Sequence, residues 1–157
     1  MIAFIERIRL KLGENAWIAL LLLRLFVGYF FFETGWGKIH NLETFTQRFI
    51  EWGIPMPAFN AALSAWTEVI GGLLIMAGLA TRLISIPLII NMAVAVLTVK
   101  IKKVEGLDDF VELDEPLYAL AFLVLLFVGP GKASLDYLIL RYRLAGANAA
   151  AAAAVQH

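Results

Sequence analysis

The 157-residue chain contains no cysteine. That absence excludes a disulfide relay through the chain, a thiolate metal site and a cysteine nucleophile. Histidine is nearly missing as well, with His40 in a connection and His157 at the terminus. No intramembrane histidine pair exists, so no metal or haem site is expected. Net charge is also absent: 13 basic and 13 acidic residues cancel. The chain therefore lacks the basic footprint of a nucleic-acid partner. Charged residues make up only 17% of the chain, where a soluble domain carries about a quarter.

Apolar sequence fills the space. Hydrophobic residues are 61% of the chain, and mean hydropathy is +0.81. The length suits one domain, and about 20 apolar residues cross a hydrocarbon core as a helix. Four stretches qualify as candidate spans: 16–36, 58–80, 83–99 and 116–130. The expected fold is all-α, an integral membrane four-helix bundle over residues 1–144 with short interfacial amphipathic helices. Residues 145–157 read as a low-complexity, alanine-rich tail with no assigned function. Arg24 interrupts the first run and no small-x-small cleavage site follows it, so that run reads as a retained anchor.

Two shorter stretches are amphipathic. Ile2, Ile5, Ile8 and Leu12 share one helical face, apart from Glu6, Arg7 and Lys11, which suits a helix lying in the interface. Leu42, Phe45, Phe49 and Trp52 recur at helical spacing after Asn41, a second interfacial helix or a partner-docking surface. Gly35 and Gly37 are expected to weaken the end of the first span. The connection through Gly78 and Ala80 is short enough for a tight antiparallel hairpin. Basic residues near the span ends favour both termini inside a bacterial inner membrane. Arg7, Arg9, Lys11, Arg82, Lys132, Arg141 and Arg143 fall on one side, against Lys38, Arg48, Lys100, Lys102 and Lys103 on the other.

The charges inside the spans give the first address for function. A charge at the bilayer centre costs about 2.5–3.5 kcal/mol, so it persists when paired, wetted or useful. Helical rise puts Arg24 about 12 Å into its span, Glu68 about 15 Å and Asn91 about 13 Å. The expectation is one shared polar centre, either an Arg24–Glu68 ion pair fixing helix packing or a cavity for a polar head group such as a quinone carbonyl or a small anion. A quinone-sized ligand is expected there, walled by Val27, Phe31, Leu74 and Val94. Ala61, Ala65, Glu68 and Gly72 lie on one helix face, a small-residue stripe that permits close approach. Glu33, Lys38 and His40 read as a solvated rim, and the acids from Asp108 to Glu115 as a solvated loop.

Four segments together resemble the DoxX/DoxD family of small four-helix membrane proteins: LLLRLFVGYFFFETGWGKI at 21–39, the stretch 49–57 ending GIPMP, EVIGGLLIMAGLATRL at 68–83, and GPGKASLD at 129–136. The resemblance carries over Arg24, Gly28, Lys38, Glu68, Gly71, Gly72, Thr81, Arg82 and Asp136 as pattern positions, none of them thereby catalytic. It implies a membrane subunit of a quinone-linked redox, oxidative-stress or sulfur-handling assembly. Any redox role would use a bound quinone or a redox or stress-response protein partner, with no covalent cofactor. A carrier for a small hydrophobic metabolite or lipid, and a non-catalytic scaffold, are the other readings. The resemblance leaves a homo-oligomer open.

Overall fold

The computed structural model describes residues 2–101 and 104–154. Lys102, Lys103 and His157, used above in the charge and histidine arguments, lie outside the described residues. So do the side chains of Ile2, Ile5, Ile8, Arg9 and Leu12. Among the described residues the chain is helical, without strands.

Helix α1 (Ile2–Glu14) and helix α2 (Ala16–His40) are separated by a single turn at Asn15. α2 runs straight through Gly35 and Gly37, contrary to the expected weakening there. Burial explains it: a Cβ on Gly35 would sit 2.8 Å from Glu68 Cβ and from Val69 N. The glycine is thus a packing residue that lets a neighbouring helix approach. Asn41 leads into α3 (Leu42–Glu51), and Pro57 opens α4 (Pro57–Ala77) from its first turn.

α4 ends at Gly78, whose φ is +67°. Leu79 N–H donates to Leu74 O and Gly78 N–H to Ile75 O, the paired bonds that close a helix on a left-handed residue. With two residues between, α5 (Thr81–Ala95) begins, and a π-helical turn at Val96–Lys100 extends it. A short helix α6 (Leu107–Val111) precedes α7 (Asp114–Val128), and α8 (Leu135–Ala154) follows a Gly-Pro-Gly turn. The alanine-rich stretch expected as a tail continues α8 to Ala154, which suits the high helix propensity of alanine.

Among the described residues, three helical segments are long and apolar enough to cross a membrane: Ala16–His40, Pro57–Ala77 and Thr81–Lys100. The fourth expected span corresponds to α7, which has 15 residues. At helical rise that is about 22 Å, short of a hydrocarbon core of about 30 Å. α2 lies along α4, α5 packs on both α4 and α7, and α3 covers one end of α4. Val27, Phe31, Ile75, Leu88, Met92, Phe122 and Leu125 meet at the centre. Outward faces stay apolar, as at Leu22, Phe26, Ile70, Ile90 and Leu97, which is how lipid-facing helices read.

The α2–α4 contact is made backbone to backbone. A Cβ on Gly72 would lie 2.5 Å from both Gly28 O and Phe32 N, so neither helix could keep its position. The small-residue stripe is borne out, with Ala61, Ala65, Glu68 and Gly72 all buried. Gly72→Ala is therefore expected to destabilise by about 1–3 kcal/mol, although alanine is about 1 kcal/mol better than glycine in a helix. Gly37→Ala, with nothing within 4 Å, should instead be neutral or stabilising. Thermal unfolding of the two variants in one detergent checks both signs; equal effects would remove the close-contact argument.

Candidate functional site

The buried charges separate into two centres. Arg24 is 1% exposed, and its guanidinium is surrounded by backbone carbonyls. Nε donates to Ile75 O at 3.0 Å and Nη2 to Met76 O at 2.9 Å. Nη1 donates to Pro130 O at 2.6 Å and Ala133 O at 3.0 Å. The last carbonyls of a helix lack intrahelical partners; here Arg24 caps the end of α4 and ties it to the turn between α7 and α8. Gly78 makes room, since a Cβ there would meet Arg24 Cζ at 2.7 Å.

The same end holds most of the pattern positions. Asp136 Oδ1 accepts Ala80 N–H at 2.7 Å, and Oδ2 accepts Thr81 N–H at 3.0 Å. A residue of α8 thus caps α5 and holds Ala80 at its left-handed φ of 49°, a conformation that costs a non-glycine residue about 1–2 kcal/mol. Thr81 O accepts from Ser85 Oγ, and Arg82 donates to Val128 O. Gly28 and Gly71 pack closely, the first against Gly72 O and Met76, the second against Leu88. These positions hold the fold.

Glu68 sits in the second centre, and its partner is Lys38. Lys38 Nζ lies 2.5 Å from Oε1 and 2.6 Å from Oε2. Asn91 Nδ2 donates to Oε1 at 2.9 Å, and Thr34 Oγ1 donates to Oε2 at 3.4 Å. Ser64 Oγ in turn donates to Asn91 Oδ1 at 2.9 Å. The Glu68 side chain is 3% exposed and that of Lys38 30%. Carboxylate, ammonium and amide form one connected network reaching from α2 through α4 to α5.

The expected Arg24–Glu68 pair is therefore corrected: Asn91 joins Glu68, and Arg24 does not. The depths were similar, but side-chain direction decides the pairing. A helical side chain leans toward the N-terminus of its own helix. In the antiparallel α2–α4 pair, Arg24 leans toward the α1 end and Glu68 toward the α3 end, so they diverge. Lys38 leans from the far end of α2 into the bundle and meets Glu68. It was read as rim. The signal that identifies it is the spacing of Thr34 and Lys38, one turn apart on the face carrying Gly35.

A cavity of about 420 Å³ opens beside this network. Lys38, Glu68, Asn91, Ser64 and Thr34 give it a polar side, while Phe30, Phe31, Phe45, Phe49 and Tyr118 wall it. Phe31 and Val94 line it as expected; Val27, Leu74 and Arg24 do not. Phe30 stacks on Tyr118 with centroids 4.7 Å apart. At the rim Lys100 Nζ lies 3.3 Å from Glu115 Oε1, so the acidic loop contributes one structured ion pair. Lys38 has three N–H donors and the Asn91 amide two. After the internal bonds, both can still present a donor to a bound carbonyl or hydroxyl. Among the described residues, no cluster of His, Asp or Glu could hold a metal ion.

Membrane-crossing helices around a buried, satisfied polar network define a small helical membrane protein with a cavity beside that network. The DoxX family model matches residues 19–101, a span that contains Thr34, Lys38, Ser64, Glu68 and Asn91. Over 85 residues the chain is 39% identical to "Putative oxidoreductase CatD" of Bacillus subtilis, covering 54% of this chain and 62% of that relative's length. Over 125 residues it is 31% identical to "Uncharacterized membrane protein Rv3486" of Mycobacterium tuberculosis, covering 73% of this chain and 77% of the relative. No solved structure matches the chain. The chain belongs to the DoxX family of membrane proteins.

Proposed function

We propose that this protein is the membrane subunit of a quinone-linked redox or oxidative-stress assembly, and that the cavity beside Lys38, Glu68 and Asn91 holds the quinone head. The observation that carries the reading is a buried ion pair placed at an aromatic-walled cavity instead of in a sealed core. Ligand sites combine mostly apolar walls with a few convergent polar groups. In this arrangement Lys38 and Asn91 donate to a quinone carbonyl, Glu68 orients both donors, and Phe31 and Tyr118 flank the ring. Glu68 and Lys38 also form a pair through which a proton could be handed to a reduced oxygen. The chain has no cysteine, so no thiol of its own relays electrons; in this reading a partner protein supplies them. The name of the Bacillus subtilis relative, an oxidoreductase, supports the same direction.

In this reading α7 completes a fourth crossing, with the bilayer thinned locally to match its length. Both termini face the cytoplasm, and the cavity opens toward the opposite side of the inner membrane. Titration of a short-chain quinone into the purified protein, followed by quenching of tryptophan fluorescence, tests the site, because Trp52 lines the cavity. Glu68→Gln and Asn91→Leu should each weaken binding about tenfold, the loss of about one good hydrogen bond to a charged or polar group. Phe26→Leu, on the outward face, should bind as wild type. Equal binding by all of these proteins, or none by any, removes the quinone assignment.

A further inference from the structure

A second recess, of about 590 Å³, lies at the Arg24 end of the bundle, where α5 begins, α7 ends and α8 starts. It is independent of the quinone reading. Two cations line it, Arg82 and Lys132, with one acid, Asp136. Both oxygens of that acid are already occupied by the Ala80 and Thr81 N–H groups. Two cations against one acid leave the recess net positive.

Arg82 is positioned. Its Nη2 donates to Val128 O at 3.3 Å, and the guanidinium lies over Gly129. That glycine has φ +92° and is buried, and a Cβ there would come within 3.2 Å of Arg82 Nε and Nη2. Only glycine combines that backbone angle with that contact. One hydrogen bond leaves most of the five guanidinium N–H donors unassigned. Among the described residues Lys132 makes no hydrogen bond or ion pair and is exposed.

The other walls are apolar and open. Leu83 is 72% exposed, Val128 60% and Leu140 56%, and Leu83 continues into the membrane-crossing segment Thr81–Lys100. A free anion would satisfy the cations and leave those walls bare. An amphiphile with an anionic head covers both. We propose that this recess binds the headgroup phosphate of an anionic glycerophospholipid, with Arg82 and Lys132 on the phosphate and an acyl chain along Leu83, Val128 and Leu140. Basic recesses between membrane helices are suited to such head groups. The Arg82 guanidinium offers a planar fork to phosphate oxygens, and Lys132 a mobile point charge.

The test uses the full chain, delipidated in a neutral detergent and titrated with phosphatidylglycerol or phosphatidylcholine of identical acyl chains by native mass spectrometry. Wild type should retain phosphatidylglycerol preferentially. Lys132→Gln should reduce that preference about fivefold, and adding Arg82→Gln should reduce it about fivefold again, from about 1 kcal/mol per cation. Lys132→Gln removes no described bond, so its result stands even if the Arg82 variant folds poorly. Equal retention of the two lipids by wild type, or an unchanged preference in Lys132→Gln, overturns the proposal. Complete displacement of phosphatidylglycerol by excess inorganic phosphate also overturns it, because the recess would then read a phosphate without its lipid.

Discussion

Arg24→Gln should lower the unfolding free energy of the detergent-solubilised protein by about 3–5 kcal/mol, the scale of losing several hydrogen bonds from a charged donor at about 1.5–3 kcal/mol each. Four carbonyls lose a donor at once: Ile75 and Met76 at the end of α4, and Pro130 and Ala133 in the turn before α8. Arg24 is 1% exposed, so its loss leaves buried polar groups unsatisfied, each at a cost of about 1–3 kcal/mol. Glutamine is shorter and offers two donors, so it cannot reach both sets. Arg24→Lys should recover little, because one ammonium cannot span two carbonyl pairs on opposite sides of a planar fork. Reversible unfolding followed by circular dichroism measures the loss. A midpoint within about 0.5 kcal/mol of wild type, the range of an ordinary surface substitution, would show that Arg24 is not the clamp described.

The second large effect falls on Lys38, and its sign structure is informative. Lys38→Met leaves the Glu68 carboxylate, 3% exposed, with only Asn91 and a long contact from Thr34. A loss of about 3–5 kcal/mol is expected for a stranded buried charge. Glu68→Gln leaves the ammonium instead, and Lys38 is 30% exposed, so it can turn toward water at the cavity mouth and lose less. The single variants should therefore differ, with the lysine variant the less stable. Joining the two substitutions removes both charges and should recover stability relative to Lys38→Met alone. Equal losses in the two single variants would mean that the pair is solvated from both sides.

Much of this arrangement was legible in the sequence, because it rests on periodicity. Run lengths point to four crossing segments, of which three are long enough in the structure; Gly78 and the proline at 57 mark helix ends, and the stripe through Ala61, Ala65 and Gly72 marks the face on which α4 approaches α2. Glu68 and Asn91 were correctly brought together. The partner of Arg24 was not legible, since its partners are backbone carbonyls and residue-by-residue matching sees only side chains. Lys38 was missed for a related reason. Depth alone ranks Arg24 as the nearest cation to Glu68, and only the lean of side chains toward their own N-termini reverses that order. The shortness of α7 is legible in the sequence itself: the apolar run 116–130 is no longer than α7, and the glycine at 129 ends the helix at Val128.

The buried charges form two separate centres, one holding the fold at Arg24 and one lining the cavity at Lys38, Glu68 and Asn91. A pair of double-mutant cycles on unfolding free energy, Lys38 with Glu68 and Arg24 with Glu68, tests this division most directly. The structure predicts a coupling of about 1–3 kcal/mol for Lys38 with Glu68, and additivity within about 0.5 kcal/mol for Arg24 with Glu68, the difference between residues in contact and residues without shared partners. Additivity in the first cycle with strong coupling in the second would contradict the division and return Arg24 to the partner position at Glu68.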